Sequence, residues 1–313
     1  MSISGKFGGD NVRLSVILAF TAVCVVWGST YLAIRFAIET VPPFFMAGMR
    51  WTIAGILLYA ATRLHGAPAP SRTHWYTAFV IGGLMLLIAH GAVVWAEQWI
   101  PSGLTSILVA TVPLWLIFVE SVYNRARPNT KIIATLVAGF IGVILLVGDL
   151  PNQVGNAAGL IAAIALLFGT LAWSLGSYYS RIANLPDSHF LAVAQQMILG
   201  GALLFLTSLV TGEWMNVKPD AMSLNSLIAL LYLIVFGSLI GFTSYIWLLK
   251  QIAPSRIATY AYVNPIVALL LGWTLANEQP SLKSMVAATI ILLSVAATTL
   301  YKIEPKKTET EKH

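Results

Sequence analysis

Three ionisable side chains lie within or at the end of long apolar stretches, where a charge is costly unless it is paired or faces water. Arg50 comes seven residues after Pro43, about 10 Å along a helix that rises 1.5 Å per residue. Its guanidinium suits recognition of a substrate carboxylate, and a structural pair with Glu97 or Glu39 is the alternative. His90 and Glu97 are seven residues apart on one helix face and are candidates for proton coupling. The alternative for His90 is a hydrogen bond to a neighbouring carbonyl.

Aromatic and hydroxyl side chains at helical spacing form a second group. Trp27 and Tyr31 are four residues apart and share a helix face, as do Trp173 and Ser177, with Tyr178 next to them. This pattern predicts a cavity whose aromatic walls stack on planar or apolar parts of a substrate. Anchoring at the membrane interface or simple helix packing is the alternative.

Two prolines mark predicted breaks within apolar stretches. Pro113 and Pro265 each remove a backbone donor and free a carbonyl, which indicates a binding site or a bending point. Tyr260 and Asn264, four residues apart, are expected to present a hydroxyl and an amide to the same cavity, and Trp95 is assigned to its wall. Packing alone is the alternative for the prolines.

Composition decides which solvent surrounds the chain. Of 313 residues, 58% are hydrophobic and only 10% are charged, with a mean hydropathy of +0.81, too little polar surface for a soluble globule. The apolar runs are hydrophobic on every face, unlike barrel strands. We therefore predict an all-α integral membrane protein of ten transmembrane helices, at 14–34, 43–63, 75–96, 103–122, 131–147, 157–179, 188–210, 224–249, 257–275 and 284–301.

The basic residues indicate topology and not nucleic-acid binding. With the N-terminus inside, fourteen of the 18 Lys and Arg residues fall in cytoplasmic segments, Arg50 lies within a span, and three lie outside. Those three are Arg35, Lys218 and Lys283. We expect a multi-pass protein of the inner (plasma) membrane with both termini in the cytoplasm.

Fixed offsets relate the two halves of the chain. Adding 146 takes Trp27 to Trp173, and adding 152 takes Pro113 to Pro265. Because each half holds five spans, an odd number, the second half must be inverted, as in transporters with a midplane site. The first offset also takes Arg50 to a neutral residue, Gln196, so an anion site would be asymmetric. The predicted units are 14–147, 157–301 and a disordered cytoplasmic tail, 302–313.

Several short motifs carry a resemblance to a known family. They are Trp27-Gly-Ser-Thr-Tyr31, Pro101-Ser-Gly103, Ala110-Thr-Val-Pro113, Tyr260-Ala-Tyr-Val-Asn-Pro265 and Glu278-Gln-Pro280. With them the chain resembles the drug/metabolite transporter superfamily, more narrowly EamA-type inner-membrane exporters and their YedA-like members. The resemblance implies ten spans in two EamA-type halves, a central cavity and export of amino acids or related metabolites. One departure is Asn277, where the family usually has Gly before Glu278.

Motifs for other chemistry are missing from the sequence. It has no phosphate loop, no Cys/His cluster with metal-ligand spacing and no Gly-x-Ser-x-Gly nucleophile motif. We expect a secondary transporter and no enzyme, without a cofactor, whose partners are a small-molecule substrate and the bilayer. Gly237 and Gly241 have the spacing of close helix packing or a weak homodimer face. A membrane-embedded enzyme acting on a lipid or isoprenoid, or a channel or structural subunit, is the alternative.

Overall fold

The computed structural model describes residues 9–124, 130–148, 157–252, 257 and 259–300. In this part of the chain all regular structure is helical, as the sequence predicts. We number the helices α1 Gly9–Ala37, α2 Pro43–Leu64, α3 Arg72–Ala96, α4 Ser102–Tyr123, α5 Thr130–Val147, α6 Ala157–Ile182, α7 His189–Val210, α8 Leu224–Gln251, α9 Tyr260–Ala276 and α10 Leu282–Leu300. The predicted tail, 302–313, lies outside the described residues.

Eight of the described helices, α1 to α8, are long and apolar enough to cross a bilayer. The remaining two predicted spans coincide with α9 and α10, whose apolar parts are shorter, Val263–Ala276 and Leu282–Ala297. Large aliphatic and aromatic side chains are exposed along the outside of the bundle, among them Leu18, Ile56 and Phe168. Such a surface is stable against lipid because helices satisfy their own backbone hydrogen bonds. The chain is a multi-pass membrane protein.

Helix packing pairs elements of the first half with elements of the second. The helix α2 lies against α7 and α5 against α10, while α1 contacts α8 and α9, and α6 contacts α3 and α4. Glycines permit the closest approaches: a Cβ on Gly201 would lie 2.4 Å from Thr52 Oγ1, and one on Gly55 would lie 2.7 Å from the Ile198 nitrogen. Small residues at helix interfaces are typical of membrane bundles.

The glycine pair that the sequence offered as a dimer face lies inside the chain. A Cβ on Gly237 would meet the Arg50 guanidinium at 2.5 Å, and one on Gly241 would meet Trp27 Nε1 at 2.4 Å. Both glycines are buried. The dimer-face interpretation of this pair is therefore wrong, and a weak homodimer stays a prediction.

Two helices contain a π-helical segment that the sequence analysis did not predict. In α3 it runs over Gly83–His90, and in α8 over Leu233–Phe242. The offset of 152 relates His90 to Phe242, so the two segments end at equivalent positions of the two halves. A π-helical turn holds an additional residue and redirects the side chains around it, and such segments are frequent at functional sites.

One loop explains a departure from the family pattern. Asn277 ends α9 in the left-handed conformation, with φ of 52° and ψ of 26°. Asparagine tolerates this conformation better than other non-glycine residues because its short side chain can bond locally. The asparagine therefore adopts a left-handed conformation that glycine also adopts readily.

Candidate substrate cavity

A cavity opens among α1, α2, α3, α4, α6 and α9. The empty space within it, including the open mouth, is about 640 Å³. Six of the residues predicted from the sequence line it: Trp27, Tyr31, Arg50, His90, Trp173 and Tyr260. The other lining residues are Thr30, Ile34, Trp51, Ala89, Val93, Val109, Val112, Leu166, Gly169 and Thr170.

Arg50 is the buried cation of this cavity, with 2% of its surface exposed. Its Nε donates to Ser238 Oγ at 2.8 Å, and its guanidinium carbon lies 4.5 Å from the centre of the Trp51 ring. Its Nη1 lies 2.9 Å from His90 Nε2. Arg50 makes no hydrogen bond to Glu97, because neither carboxylate oxygen of Glu97 has a partner among the described residues.

His90 is held between two donors. Trp51 Nε1 donates to His90 Nδ1 at 3.1 Å, and Arg50 Nη1 faces the other ring nitrogen. The rings of Trp51 and His90 meet edge to face, with centroids 5.2 Å apart. The alternative for His90, a hydrogen bond to a neighbouring carbonyl, is wrong in this structure, because the partners of its two ring nitrogens are both side chains.

Three aromatic rings, those of Trp27, Trp173 and Tyr260, line one wall of the cavity, and the ring of Tyr245 packs against all three. Trp27 is central: its ring centroid lies 5.4 Å from Trp173, 5.0 Å from Tyr245 and 5.4 Å from Tyr260. Trp173 Nε1 donates to the Tyr245 hydroxyl at 3.1 Å. Ser177 bonds the same hydroxyl at 2.8 Å, so it positions Tyr245 instead of lining the cavity as predicted.

Two predicted site residues lie elsewhere. Trp95 packs edge to face on Trp99 at 4.6 Å, away from the lining residues. The Tyr178 hydroxyl donates to Asn124 Oδ1 at 3.2 Å, which ties α6 to the end of α4. Neither residue lines the cavity, so their assignment to the substrate site stays a prediction without support from the geometry.

The structure interrupts the helix beside Pro113 but not at Pro265, and it gives Asn264 a role between helices. Pro113 follows an interruption of α4 at residues 110–111, and Val112 beside it lines the cavity. Pro265 lies inside α9, which stays helical from Tyr260 to Ala276, so the predicted break there is wrong. With its amide nitrogen turned towards α1, Asn264 donates to the Cys24 carbonyl at 2.8 Å and the Tyr260 carbonyl at 3.2 Å. Asn264 therefore joins two helices and does not line the cavity.

Two glutamates near the predicted outer surface differ in their bonding. Glu97 ends α3, one turn beyond Val93, and is fully buried with both carboxylate oxygens unbonded among the described residues. Its backbone carbonyl accepts from Arg35 Nη1 at 2.6 Å. Glu278 instead accepts from the Ser102 amide and hydroxyl, both at 2.8 Å, and from the Gly103 amide at 3.0 Å. Glu278 thus caps α4, whereas Glu97 has no such structural role.

Comparison with known proteins identifies the family. The model of the EamA-like transporter family matches residues 14–148 and again residues 160–300. The chain belongs to the EamA-like transporter family. The inner membrane transporter YedA of Escherichia coli strain K12 is 36% identical over 91% of this chain and 90% of its own length. The protein PecM of Dickeya dadantii is 27% identical over 87% of this chain and 88% of its own. One crystal structure shares the fold, with a TM-score of 0.66 at 20% identity over 91% of this chain and 97% of that one.

EamA membership decides the class of protein. The chain is a multi-pass inner-membrane transporter and not an enzyme, as the sequence predicts. The motifs that carried the resemblance from the sequence were sufficient for this assignment.

The sequence analysis of this EamA protein missed Trp51, which lines the cavity, and Tyr245, which packs on the lining rings Trp27, Trp173 and Tyr260. The offset of 152 relates Tyr245 to Val93, but nothing in the sequence marks Val93 as a lining residue, so Tyr245 had no signal. Trp51 had no signal of its own: it is one more apolar residue in α2, and only the approach of His90 and Phe242 gives it a place in the site.

Proposed function

We propose that this EamA protein is a secondary transporter that exports small amphipathic metabolites, such as amino acids and related compounds, by alternating access. The observation that carries the proposal is the cavity itself, because both halves contribute to it. Trp27 and Arg50 come from the first half, and Trp173 and Tyr260 come from the second. A site shared between repeats is what a rocking motion of one half against the other would expose to each side in turn. The direction of transport rests on the family resemblance.

The architecture that we propose has ten spans in two inverted halves with both termini in the cytoplasm. The family model matches the chain twice, and helix contacts exchange between halves: α1 with α8 and α9, α6 with α3 and α4. The paired π-helical segments support the same relation. A reporter that is active only outside the cytoplasm, fused after residue 313, should give no signal. A strong signal there would contradict the ten-span topology.

The aromatic wall supports a conformation closed towards the cytoplasm. In the proposed topology α9 begins at the cytoplasmic side, so its first residue, Tyr260, lies on the inner side of the Arg50 and His90 pair. Trp27 and Tyr245 pack on Tyr260, and Trp173 packs on Trp27 and Tyr245. For substrate to enter from the cytoplasm these rings must separate.

We also propose that Glu97 carries the coupled proton. A buried carboxylate with no hydrogen-bond donor strongly favours its neutral form, and exposure to water during the transport cycle would release the proton. Glu97→Gln should retain exchange of substrate across the membrane but lose acceleration by a proton gradient. Glu278→Gln is the matched control, because that carboxylate already has three donors. If the Glu97 variant still responds to the gradient, coupling resides elsewhere.

The test of transport is efflux from proteoliposomes loaded with a mixture of amino acids and related metabolites. We expect selective loss of some compounds, faster with an imposed proton gradient than without one. Liposomes without protein, and liposomes containing a variant with Trp27 and Trp173 both changed to Ala, serve as controls. Equal retention of all compounds in the three preparations would contradict the proposed function.

A further inference from the structure

The contacts of His90 contain a surplus of hydrogen-bond donors. The indole Nε1–H of Trp51 donates and cannot accept, so the nitrogen that it faces, His90 Nδ1, must be the acceptor. The neutral ring then carries its hydrogen on Nε2. That hydrogen points at Arg50 Nη1, which is also only a donor, 2.9 Å away. In the other tautomer, or in the protonated imidazole, at least one N–H group of the ring still faces another donor and not an acceptor.

The protein supplies little to balance these donors. Ser238 Oγ accepts from Arg50 Nε. That bond leaves the Nη1 edge of the guanidinium, which is turned towards His90, without an acceptor from Ser238. Both oxygens of Glu97, the buried carboxylate at the end of α3, are unbonded among the described residues and so do not reach these donors. Arg50 and His90 nevertheless both line the cavity. Two donors from α2 and α3 therefore converge at the edge of a cavity that is otherwise lined mainly by apolar and aromatic groups.

We propose that Arg50 and His90 form a clamp for a carboxylate group of the substrate, an inference that rests on the proposed transport function. A carboxylate has two oxygens in one plane and accepts in several directions. Once Arg50 and His90 turn apart, one oxygen takes a hydrogen from Arg50 and the other takes one from His90 Nε2. The apolar body of the same molecule would then lie against Trp27 and Trp173. The ligand class is a small monocarboxylate with an apolar or aromatic side, whether or not it also bears an amine.

The second half has no equivalent of this clamp. The repeat offsets relate Arg50 to Gln196 and His90 to Phe242. Phe242 is fully buried and packs on Trp51 with centroids 5.2 Å apart, so it offers the cavity no donor. The cavity can therefore hold one carboxylate group, at the first half. The carboxylate end of the substrate then faces the first half and the other end faces the second half.

The experiment compares carboxylates with their carboxamides on the purified full-length protein. The probes are benzoate with benzamide, and phenylalanine with phenylalaninamide, measured by ligand-induced thermal stabilisation and by tryptophan fluorescence. A ligand that binds only the folded protein raises the melting temperature with its concentration. Two charge-assisted hydrogen bonds should give the carboxylate of at least one pair roughly 10- to 100-fold higher affinity than its amide.

Two variants separate recognition from folding. Arg50→Gln should abolish the preference for the carboxylate and leave the melting temperature without ligand unchanged or higher, because the glutamine oxygen accepts from His90. Arg63→Gln, on the exposed last turn of the same helix, should keep the preference. A structural role for Arg50 would instead lower the melting temperature of Arg50→Gln.

The clamp is overturned if the wild type treats both members of every pair alike, including by binding neither, or if Arg50→Gln keeps the preference. The failures of the two proposals are distinguishable. Efflux of metabolites with no carboxylate preference would sink the clamp and leave the transporter. Carboxylate binding without any efflux would sink the transporter and leave the clamp.

Discussion

The ends of the two π-helical segments place different chemistry against the same tryptophan. His90 ends the segment in α3 and Phe242 ends the segment in α8, and each ring packs on Trp51 with a centroid distance of 5.2 Å. His90 brings a polar ring next to Arg50, whereas Phe242 brings a hydrocarbon ring to the same tryptophan. The halves thus share a backbone device that delivers a ring to the centre of the bundle, and they differ in what that ring does.

The same contrast holds one helix earlier. Arg50 of α2 has hydrogen-bond partners and an aromatic face, whereas its counterpart in α7, Gln196, is buried with neither amide atom bonded among the described residues. The two halves of the chain therefore agree in geometry more than in charge. A cation in each half would have placed two like charges near one cavity, at a cost that low-dielectric surroundings increase.

The largest effect on transport is expected from changing Arg50, the charged member of this pair. Arg50→Gln should lower the transport rate of a carboxylate substrate by about 100-fold, since charged hydrogen bonds contribute about 1.5–3 kcal/mol each. Gln196→Met should leave transport near the wild-type rate, because it removes only an unbonded amide. Both are measured by efflux from proteoliposomes. Moving the cation, in the double variant Arg50→Gln with Gln196→Arg, should not restore transport, and restoration would show that the two halves are interchangeable.

A second test of the difference between the halves exchanges the rings of His90 and Phe242. His90→Phe removes the Nε2 donor and should reduce transport of a carboxylate substrate roughly tenfold, the value of one lost charge-assisted bond. Phe242→His should have a smaller effect, because Phe242 is not among the residues that line the cavity. The exchange of both residues should behave like His90→Phe alone. If the exchanged protein transports at the wild-type rate, the asymmetry has no functional meaning.

The repeat-related tryptophans, Trp27 and Trp173, test a feature in which the two halves are alike. Trp27 and Trp173 both line the cavity and touch each other, so the two halves are alike here. Changing either to Ala should cost transport by similar factors, about tenfold or less, because one aromatic contact is worth about 0.5–1.5 kcal/mol beyond burial. Tyr31→Ala and Tyr260→Ala are expected to act in the same direction. Membrane insertion should stay intact, and normal transport by all four variants would assign these rings to packing.

The smallest effect concerns the first turns of α2 and α7. The Phe45 amide of α2 donates to Glu213 Oε2 of the second half at 3.1 Å, whereas α7 is capped by its own Ser188, which accepts from Leu191 at 3.4 Å. Glu213 is half-buried between α7 and α8. Burial, the largest cause, raises the pKa of its carboxyl above the ordinary 4.5, against the hydrogen bonds it accepts.

The sign of the pH dependence follows from that shift. Because the folded state favours protonated Glu213, its contribution to stability is complete below pH about 4.5 and is lost as the pH rises through the raised pKa. Glu213→Gln cannot titrate, so its melting temperature should exceed that of the wild type at pH 8 and match it at pH 4. Ser188→Ala should lower stability by about 1 kcal/mol at both pH values. A Glu213 variant that is less stable than the wild type at pH 8 would contradict this account.

Much of the site was accessible from sequence because its residues are expensive or bulky. Arg50 and His90 stand out in apolar segments where polar groups are rarely tolerated without a partner, and the aromatic residues at four-residue spacing share a face. The differences between prediction and structure concern the direction in which a side chain leaves its helix. Trp95 and Tyr178 sit close in sequence to cavity residues, yet their side chains leave the helix on another face.

Sequence by itself determined the solvent, the helical class and the family. Apolar runs of about 20 residues admit few structures in a bilayer, since every backbone group must bond within the span. The motifs around Trp27, Pro113 and Pro265 sufficed for EamA membership, which does not depend on the rotation of any one helix.

Tertiary structure alone decided which groups meet. The π-helical turns shift the faces of α3 and α8, and no hydrophobic pattern predicts them, because every side of these helices is apolar. The packing of the bundle places His90 between Arg50 and Trp51 and leaves Glu97 without a hydrogen-bond partner among the described residues. It also makes Glu278, and not Glu97, the residue that caps the start of α4. Partners far apart in sequence are chosen by packing, and packing is a property of the whole bundle.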